Sequence, residues 1–227
     1  MEVQRIHLKE VDSTNTWAKE HAAEFDPKKL TCVTAAVQTA GRGRFPERSW
    51  VSKRGNLHMS LFLATSPNPN LAQVLMLSAA QVVGQNVQIK WPNDLIASGK
   101  KLSGAMVETT PYGMVLGIGM NVNTAVETDQ PTTSLKELSG KKWDLEKLAN
   151  AIAIRFLANW NKEFRALKEE FDALLAYKGD SIICTVGGKK IQGILLGITE
   201  DGYLQIQKSD GKLICIVSGE IQQLRME

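Results

Sequence analysis

The chain has 227 residues, of which 43% are hydrophobic, so it can bury a sizeable core in one large domain, with or without a small module. A net charge of +3 and a pI of about 8.7 are too mild for a protein that coats nucleic acid. The three cysteines, Cys32, Cys184 and Cys215, lie far apart and form no CxxC pair, which indicates neither a disulfide framework nor a zinc site. No segment has the pattern of a membrane span or a signal peptide. We therefore expect a cytoplasmic protein without a membrane or nucleic-acid partner.

The first 122 residues alternate between the periodicities of strands and helices. Apolar or alternating runs predict six strands, over residues 5–11 (an edge strand), 30–38, 57–64, 87–90, 102–110 and 114–122. Helical periodicity predicts two helices, over residues 16–23 and 71–84. The last two strands form a predicted hairpin. Gly117 and Gly119 lie within its second strand, where a glycine often marks the close approach of a ligand or another backbone.

The second half of the chain begins with helices and ends with short strands. Asp144 starts the longest predicted helix, which keeps a 3.6-residue period to Trp160, and a short helix follows over residues 169–176. Glycine-containing turns then separate four predicted strands, over residues 181–186, 191–198, 203–208 and 213–218. The predicted fold class is α+β. Residues 1–177 would form an α+β domain, and residues 178–227 a small β-barrel appended to it.

The most distinctive stretch is GRGRFPERSW, residues 41–50, which connects two predicted strands. It holds three arginines and two glycines against one acid, Glu47. Glycine lets a backbone approach a ligand closely, and the arginine fork suits phosphate and carboxylate. A mobile cationic loop that ends in an indole suits a lid over a nucleotide. From this stretch alone, an exposed basic hairpin loop or a patch for nucleic acid is an equally good interpretation.

Five motifs, in this order over residues 13–123, resemble those of the biotin–protein ligases. They are Ser13-Thr14-Asn15 before a helix, Gln38-Thr39-Ala40-Gly41-Arg42-Gly43-Arg44 leading to Trp50, Lys90-Trp91-Pro92-Asn93-Asp94-Leu95, Lys101-Leu102-Ser103-Gly104 with Glu108, and Gly117-Ile118-Gly119-Met120-Asn121-Val122-Asn123. The terminal module is similar to the SH3-like C-terminal domain of that family. The resemblance therefore covers nearly the whole chain. It implies the family's class II synthetase-like catalytic fold, a mixed sheet with flanking helices.

The chain departs from the family pattern in two places. Many members follow Gly-Arg-Gly-Arg with Arg-Gly-Arg-x-Trp, whereas this chain has Phe45-Pro46-Glu47-Arg48-Ser49-Trp50. That difference leaves open whether Arg48 takes the place of the family's later arginine. Bifunctional members also begin with a DNA-binding domain, for which residues 1–12 are too short. The expectation is ligase activity without repressor activity.

The resemblance implies an ATP-dependent reaction in two steps. Biotin is activated as biotinyl-5′-AMP with release of pyrophosphate, and the biotinyl group then passes to a lysine of the biotin carboxyl carrier domain of a carboxylase. Two like unit charges 4 Å apart repel by about 4 kcal/mol at an effective dielectric near 20. Cations and Mg²⁺ must therefore offset the charges of biotin and ATP. The sequence leaves monomer and homodimer open.

The resemblance also assigns roles to individual residues. The catalytic residues would be Lys101 and Arg44. Biotin would contact Ser13, Thr14, Asn15, Gln38, Arg42, Gly43, Arg44, Lys101 and Gly104. ATP would contact Arg42, Arg44, Trp50, Lys90, Asn93 and Asn121, and Asp94 would bind Mg²⁺. Out of context, Lys101 could be an ordinary solvated lysine, and Asn93 and Asp94 could simply form a turn.

Two other functions remain as alternatives. A lipoate–protein ligase or octanoyl transferase shares the catalytic fold, and the transferases use a catalytic cysteine, but none of the cysteines here lies in a recognised motif. The other alternative is a non-enzymatic interaction protein that senses a nucleotide. Biotin-dependent modification of a carrier domain distinguishes these functions.

Overall fold

The structure is a computed structural model that describes residues 1–45, 47–84 and 86–223. Seven strands form one sheet: β1 (Glu2–Leu8), β2 (Lys29–Ala35), β3 (Leu57–Leu63), β4 (Gln88–Lys90), β5 (Asp94–Ala97), β6 (Lys100–Thr110) and β7 (Gly113–Met120). Their order is β1-β2-β3-β7-β6-β5-β4. The β1–β2 pair is parallel and the other pairs are antiparallel, so the predicted mixed sheet is confirmed, as is the edge position of its first strand.

Five α-helices accompany this sheet within the described residues. They are α1 (Thr14–Glu20), α2 (Leu71–Val83), α3 (Leu135–Ser139), α4 (Leu145–Asn159) and α5 (Lys168–Leu174). The longest helix starts at Asp144 as predicted, and the Asp144 side chain caps α4 by accepting a hydrogen bond from the backbone N–H of Lys147. Helix α1 is capped by Ser13 in the same way, so it begins two residues earlier than predicted. No helix in the described part of the chain is both long and apolar enough to cross a membrane.

A second sheet occupies the C-terminal part of the chain and is antiparallel throughout. Its strands are β8 (Ser181–Val186), β9 (Lys189–Ile198), β10 (Leu204–Gln207), β11 (Leu213–Ile216) and β12 (Glu220–Gln223), in the order β11-β10-β9-β8-β12. Four strands were predicted, so β12 is a correction. Its polar sequence hides it, since Ile221 is the apolar residue that anchors it in the core. The predicted module extends to residue 227, and residues 224–227 lie outside the described residues.

The two sheets share one continuous hydrophobic core. The backbone carbonyl of Gly202, in the second sheet's β9–β10 turn, accepts hydrogen bonds from Gln73 Nε2 at 2.7 Å and Trp91 Nε1 at 3.0 Å. Both donors belong to buried side chains of the first 177 residues, where an unsatisfied polar group costs about 1–3 kcal/mol. The second sheet is therefore fastened to the rest of the protein. A boundary between residues 177 and 178 remains a prediction.

Several element boundaries differ from the sequence prediction. The predicted turn at Asn93 and Asp94 ends one residue sooner, because Asp94 already pairs with Gly104 as the first residue of β5. The predicted first strand lies three residues earlier, and β2 ends at Ala35 rather than Gln38. Helix α3 was not predicted, although Ser134 and Glu137 form a capping box at its start.

Candidate active site

A cavity of about 630 Å³ opens between the first sheet, the start of α1, the loop 41–50 and β12. We call residues 41–50 the flap; Pro46 within it lies outside the described residues. Every residue that the sequence analysis assigned to biotin, ATP or metal lies in the lining of this cavity. The structure therefore brings the predicted site residues together.

Alternate residues at the end of β7 form the floor of the cavity. Gly117, Gly119 and Asn121 follow one another at the two-residue spacing of one strand face. A Cβ atom on Gly117 would lie 2.4 Å from Asn15 Oδ1, and one on Gly119 would lie 2.3 Å from Trp50 Cε2. A neighbouring group does approach each glycine closely, but it is a side chain of the protein itself and not the ligand or backbone that the sequence led us to expect.

The polar residues at the start of α1 are already paired with one another. The backbone N–H and the hydroxyl of Thr14 both lie within hydrogen-bonding distance of Gln38 Oε1, at 2.8 and 3.0 Å. Buried Ser60 donates to Asn15 Oδ1 at 2.5 Å, while Asn15 Nδ2 donates to Glu108 Oε2 at 2.9 Å. Sequence analysis did not identify Ser60, which lies in the middle of the apolar strand β3. These bonds hold the amides of Asn15 and Gln38 in fixed orientations.

Glu108 joins three elements at one edge of the cavity. Its carboxylate accepts from Asn15 on α1, from Lys19 Nζ at 2.8 Å and from Arg42 of the flap at 3.0 Å. Burial would raise the pKa of Glu108, but the hydrogen bonds from Lys19 and Asn15 and the charge of Arg42 outweigh it, so the pKa lies below its ordinary value. Sequence analysis found Glu108 only as part of a motif and gave it no role.

Folding lowers the pKa of Glu108, so the charged carboxylate stabilises the folded protein at pH values above 4.5, the ordinary pKa of a glutamate. This stabilisation is lost as the pH falls through the lower pKa of the folded state. We expect Glu108→Gln to lower the free energy of unfolding at pH 7 by about 1 kcal/mol. The difference from the wild type should shrink below about pH 4.5. Urea titrations of both proteins between pH 3 and 7 measure this, with Glu10→Gln, at an exposed site, as the control. A difference that stays constant with pH would contradict the role of the charge.

Cations and acids alternate along the opposite wall of the cavity. Lys101 Nζ lies 3.0 Å from Asp94 Oδ2, with side chains only 20% and 17% exposed. Burial lowers the pKa of Lys90; Asp94 opposes that shift and Lys101 adds to it. Lys101 is therefore half-enclosed and paired rather than an ordinary solvated lysine.

Asp94 was assigned to Mg²⁺. Among the described residues no group of three or more His, Cys, Asp or Glu side chains is placed to hold a metal. Magnesium that arrives on a nucleotide needs only one or two protein carboxylates, because phosphates and water supply the other ligands. The assignment of Asp94 remains a prediction.

A segment that sequence analysis did not identify completes this wall. Thr128, Asp129, Gln130 and Thr132 all line the cavity. Neighbouring backbone groups fasten the segment to Lys101, since Lys101 N–H donates to Pro131 O at 2.8 Å and Thr133 N–H donates to Lys101 O at 2.9 Å. Without periodicity in these residues, only the fold reveals their position.

Asn121 is buried to 1% exposure, and neither polar atom of its side chain has a partner within the described protein. It lies in the cavity wall, next along the strand face from Gly119. A buried amide without partners is costly. This side chain is therefore well suited to meet a polar ligand.

The flap is a hairpin-like loop whose two ends are tied together. Gly43 N–H donates to Arg48 O at 2.8 Å and Trp50 N–H donates to Gly41 O at 2.9 Å. Beyond these, Gln38 N–H donates to Ser52 Oγ at 2.8 Å, and Ser52 Oγ lies 2.6 Å from the Nε2 atom of a buried histidine, His58. Burial lowers the pKa of His58 to about 4, so its ring is neutral near pH 7. The base of the flap is thus fixed, and its tip extends over the cavity.

The cysteines are placed away from this chemistry. None of the three lines the cavity. Burial raises the pKa of Cys32 to about 12 and that of Cys184 to about 11, so both thiols are protonated near neutral pH. Since the thiolate is the nucleophile, neither suits the cysteine chemistry of an octanoyl transferase.

Comparison with known proteins identifies the same family along almost the whole chain. Residues 8–124 match the biotin/lipoate A/B protein ligase family, and residues 181–223 match the biotin protein ligase C terminal domain. The bifunctional ligase/repressor BirA of Bacillus spizizenii is 31% identical over 91% of this chain and 70% of its own length. The biotin--[acetyl-CoA-carboxylase] ligase of Paracoccus denitrificans is 28% identical over 91% of this chain and 95% of its own.

Solved structures agree with these matches. The biotin protein ligase from Aquifex aeolicus in complex with biotin and ATP superposes with a TM-score of 0.86 at 32% identity, over 98% of this chain and 99% of that one. The same enzyme's apo structure gives a TM-score of 0.82 at 28% identity, over the full length of both chains. The likeness extends over both sheets. This chain therefore belongs to the biotin/lipoate A/B protein ligase family and is a ligase of the biotin protein ligase type.

Proposed function

We propose that this enzyme converts biotin and ATP into biotinyl-5′-AMP and then transfers the biotinyl group to a lysine of a biotin carboxyl carrier domain. The observation that carries the proposal is that one cavity contains both a neutral polar cluster and a row of cations. The first suits the ureido head of biotin and the second suits a carboxylate beside a triphosphate. The solved complex of the Aquifex aeolicus relative with biotin and ATP supports both ligands.

Biotin would lie beside Gly104, with its head against the α1 cluster. Thr14 and Gln38 are held in place there by mutual hydrogen bonds, which leaves the Gln38 Nε2 group to donate to a ligand. Gly104 pairs with Gly119 across β6 and β7, and its missing side chain leaves room beside Lys101. The carboxylate of biotin would reach Lys101. An acid without the ureido groups would leave these polar partners unsatisfied, at about 1–3 kcal/mol each.

ATP would occupy the part of the cavity between the flap and residues 128–132. Arg42 and Arg44 would face its phosphates together with Lys90, and the unpartnered Asn121 would accept or donate a hydrogen bond there. Trp50 would pack on the adenine. The carboxylate of Asp94 and the oxygen atoms of Asn93 and Asn121 are hard donors that fit Mg²⁺, which would supply charge neutralisation for the triphosphate.

The protein would accelerate both steps by orientation and charge stabilisation. In the first step a carboxylate oxygen of biotin attacks the α-phosphorus and pyrophosphate leaves; Lys101 and the arginines stabilise the negative charge that accumulates. In the second step the amine of the carrier lysine attacks the acyl carbon and AMP leaves. Holding two reactants in place can contribute roughly 7–11 kcal/mol to such steps. The flap would exclude water from the reactive anhydride.

The test is to incubate the protein with biotin, MgATP and a biotin carboxyl carrier domain and to weigh the carrier. We expect the carrier to gain one biotinyl group, and biotin alone to support exchange of labelled pyrophosphate into ATP. Lipoate or octanoate should support neither reaction. Carrier modification by lipoate but not by biotin would replace this proposal with the lipoate-ligase alternative.

A further inference from the structure

The tip of the flap is attached to the second sheet. Arg48 donates from NH1 to Glu220 Oε1 at 2.5 Å and from NH2 to Glu220 Oε2 at 2.8 Å, which is the two-pronged geometry that suits guanidinium and carboxylate. Arg44 donates to Ser218 Oγ at 2.8 Å and to the backbone oxygen of Gly219 at 3.2 Å. Four hydrogen bonds therefore connect two flap arginines to three consecutive residues, 218–220.

An aromatic ring holds the two arginines at this spacing. The guanidinium carbons of Arg44 and Arg48 lie 5.3 and 5.0 Å from the centroid of the Phe45 ring, within the range of cation–π contacts. Phe45 is one of the residues at which the chain departs from the Arg-Gly-Arg pattern of many relatives. At this departure from the pattern, an aromatic ring lies between two cations.

The other side of this contact is rigid. Glu220 is the first residue of β12, it pairs with Thr185 of β8, and the next residue, Ile221, is fully buried. The second sheet is itself fastened to the main body through Gly202. A flap arginine bound at Glu220 is therefore bound to a fixed point.

We propose that Glu220 is a positioning residue that holds the flap closed over the cavity by binding Arg48, with Arg44 in a supporting contact. The consequence of this inference rests on the proposed function. A closed flap protects the acyl-adenylate, which is exposed to water when the flap opens. In the open state, a water oxygen bonds to the acyl carbon, the bond to the phosphate oxygen breaks, and biotin and AMP are released. Glu220 acts through Arg48 and touches neither substrate.

The contact is suited to reversible closure. The side chains of Arg48 and Glu220 are 54% and 35% exposed, so water and salt weaken their attraction. The pair can therefore open for substrates and for the carrier lysine. Loss of the pair should raise the population of the open flap by about fivefold, the scale of a well-formed exposed ion pair.

The first experiment is limited proteolysis of the ligand-free protein, which does not depend on catalysis. Trypsin cleaves after arginine, so the rate of cleavage between Arg44 and Phe45, followed by mass spectrometry, measures opening of the flap. We expect Glu220→Gln to raise this rate about fivefold, and 0.5 M NaCl to raise it in the wild type but not in the variant. Glu163→Gln, which removes a carboxylate paired with Arg165 outside the cavity lining, is the matched control and should leave the rate unchanged.

The second experiment separates a specific pair from a general loss of charge. The single variants Arg48→Glu and Glu220→Arg should each open the flap, and the double variant that exchanges the two charges should restore a rate within twofold of the wild type. The number of AMP molecules released per biotinylated carrier should rise in Glu220→Gln, because hydrolysis then competes with transfer. In the charge-exchange variant this number should return to the wild-type value.

The outcomes are distinguishable. The proposed role of Glu220 would be overturned if Glu220→Gln were cleaved at the wild-type rate. It would also be overturned if the charge-exchange variant folded but its flap stayed open. Both results hold whether or not the enzyme uses biotin. If the wild type shows no biotin-dependent pyrophosphate exchange, the proposed function fails, while the cleavage measurement still tests whether the Arg48–Glu220 pair holds the flap closed.

Discussion

Replacing Lys101 with alanine is expected to lower the rate of biotin-dependent pyrophosphate exchange by about 10²–10³-fold, the usual effect of removing one preorganised group that stabilises developing charge. Lys101 lies in the cavity wall with its side chain only 20% exposed, beside Asp94 and close to Gly104. In the first step two anions approach each other, so a fixed cation at this point lowers the barrier more than it strengthens substrate binding. We therefore expect kcat to fall more than the apparent affinity for biotin.

The adjacent residue provides a matched control. Lys100 is also in β6 but is exposed and outside the cavity lining, and Lys100→Ala should retain full exchange activity. Loss of Lys101 also leaves Asp94 unpaired, which could distort the wall by itself. The double variant Lys101→Ala, Asp94→Asn removes that unpaired charge, and we expect its exchange activity to be no higher than that of Lys101→Ala.

Thermal unfolding of the three variants completes the test. The segment beside Lys101 is held by the lysine's backbone, so an alanine side chain should keep those hydrogen bonds and the melting temperature should change little. Equal activity in Lys101→Ala and Lys100→Ala would remove Lys101 from the chemistry. Recovery of activity in the double variant would mean that Lys101 serves only to neutralise Asp94.

Short motifs predicted residues that line one cavity, because the residues of each motif are neighbours in the sequence. Gly117 and Gly119 are an example. They are separated by one residue inside an apolar strand, so they must lie on the same face of that strand, and the prediction of a close approach needed no knowledge of the fold. Likewise, the helix that starts at Asp144 followed from its 3.6-residue apolar period. Interactions between neighbours in the sequence were therefore accessible from the sequence alone.

Contacts between distant residues were not accessible in this way. Glu108 meets Asn15 across 93 positions, and Arg48 meets Glu220 across 172. Neither glutamate carries a local signal for its partner, because a charged side chain on a polar strand usually faces water. Strand β12 escaped prediction for a related reason, since one buried side chain, Ile221, gives too little periodicity to detect. The residues that join the flap to the body thus depended on the three-dimensional structure.

Replacing Gly119 with alanine is expected to lower kcat/KM for ATP by about 10²-fold with little loss of stability. The new methyl group would lie 2.3 Å from Cε2 and 2.7 Å from Cδ2 of the Trp50 indole, so the indole must move by roughly an ångström or more. Displacement of a substrate-positioning group by about 1 Å commonly costs on the order of 10²-fold in rate. The φ angle of Gly119 lies outside the left-handed region, so alanine fits the strand backbone without strain.

A double-mutant cycle separates the contact with Trp50 from other effects of the methyl group. Trp50→Ala removes the indole and should itself reduce activity, but adding Gly119→Ala to it should cost almost nothing further, because no ring remains to be displaced. Steady-state kinetics of the four proteins at saturating biotin measure the coupling. Additive losses would show that the methyl group obstructs the floor of the cavity directly. Unchanged kinetics in Gly119→Ala would show that the packing of Trp50 on Gly119 has no part in catalysis.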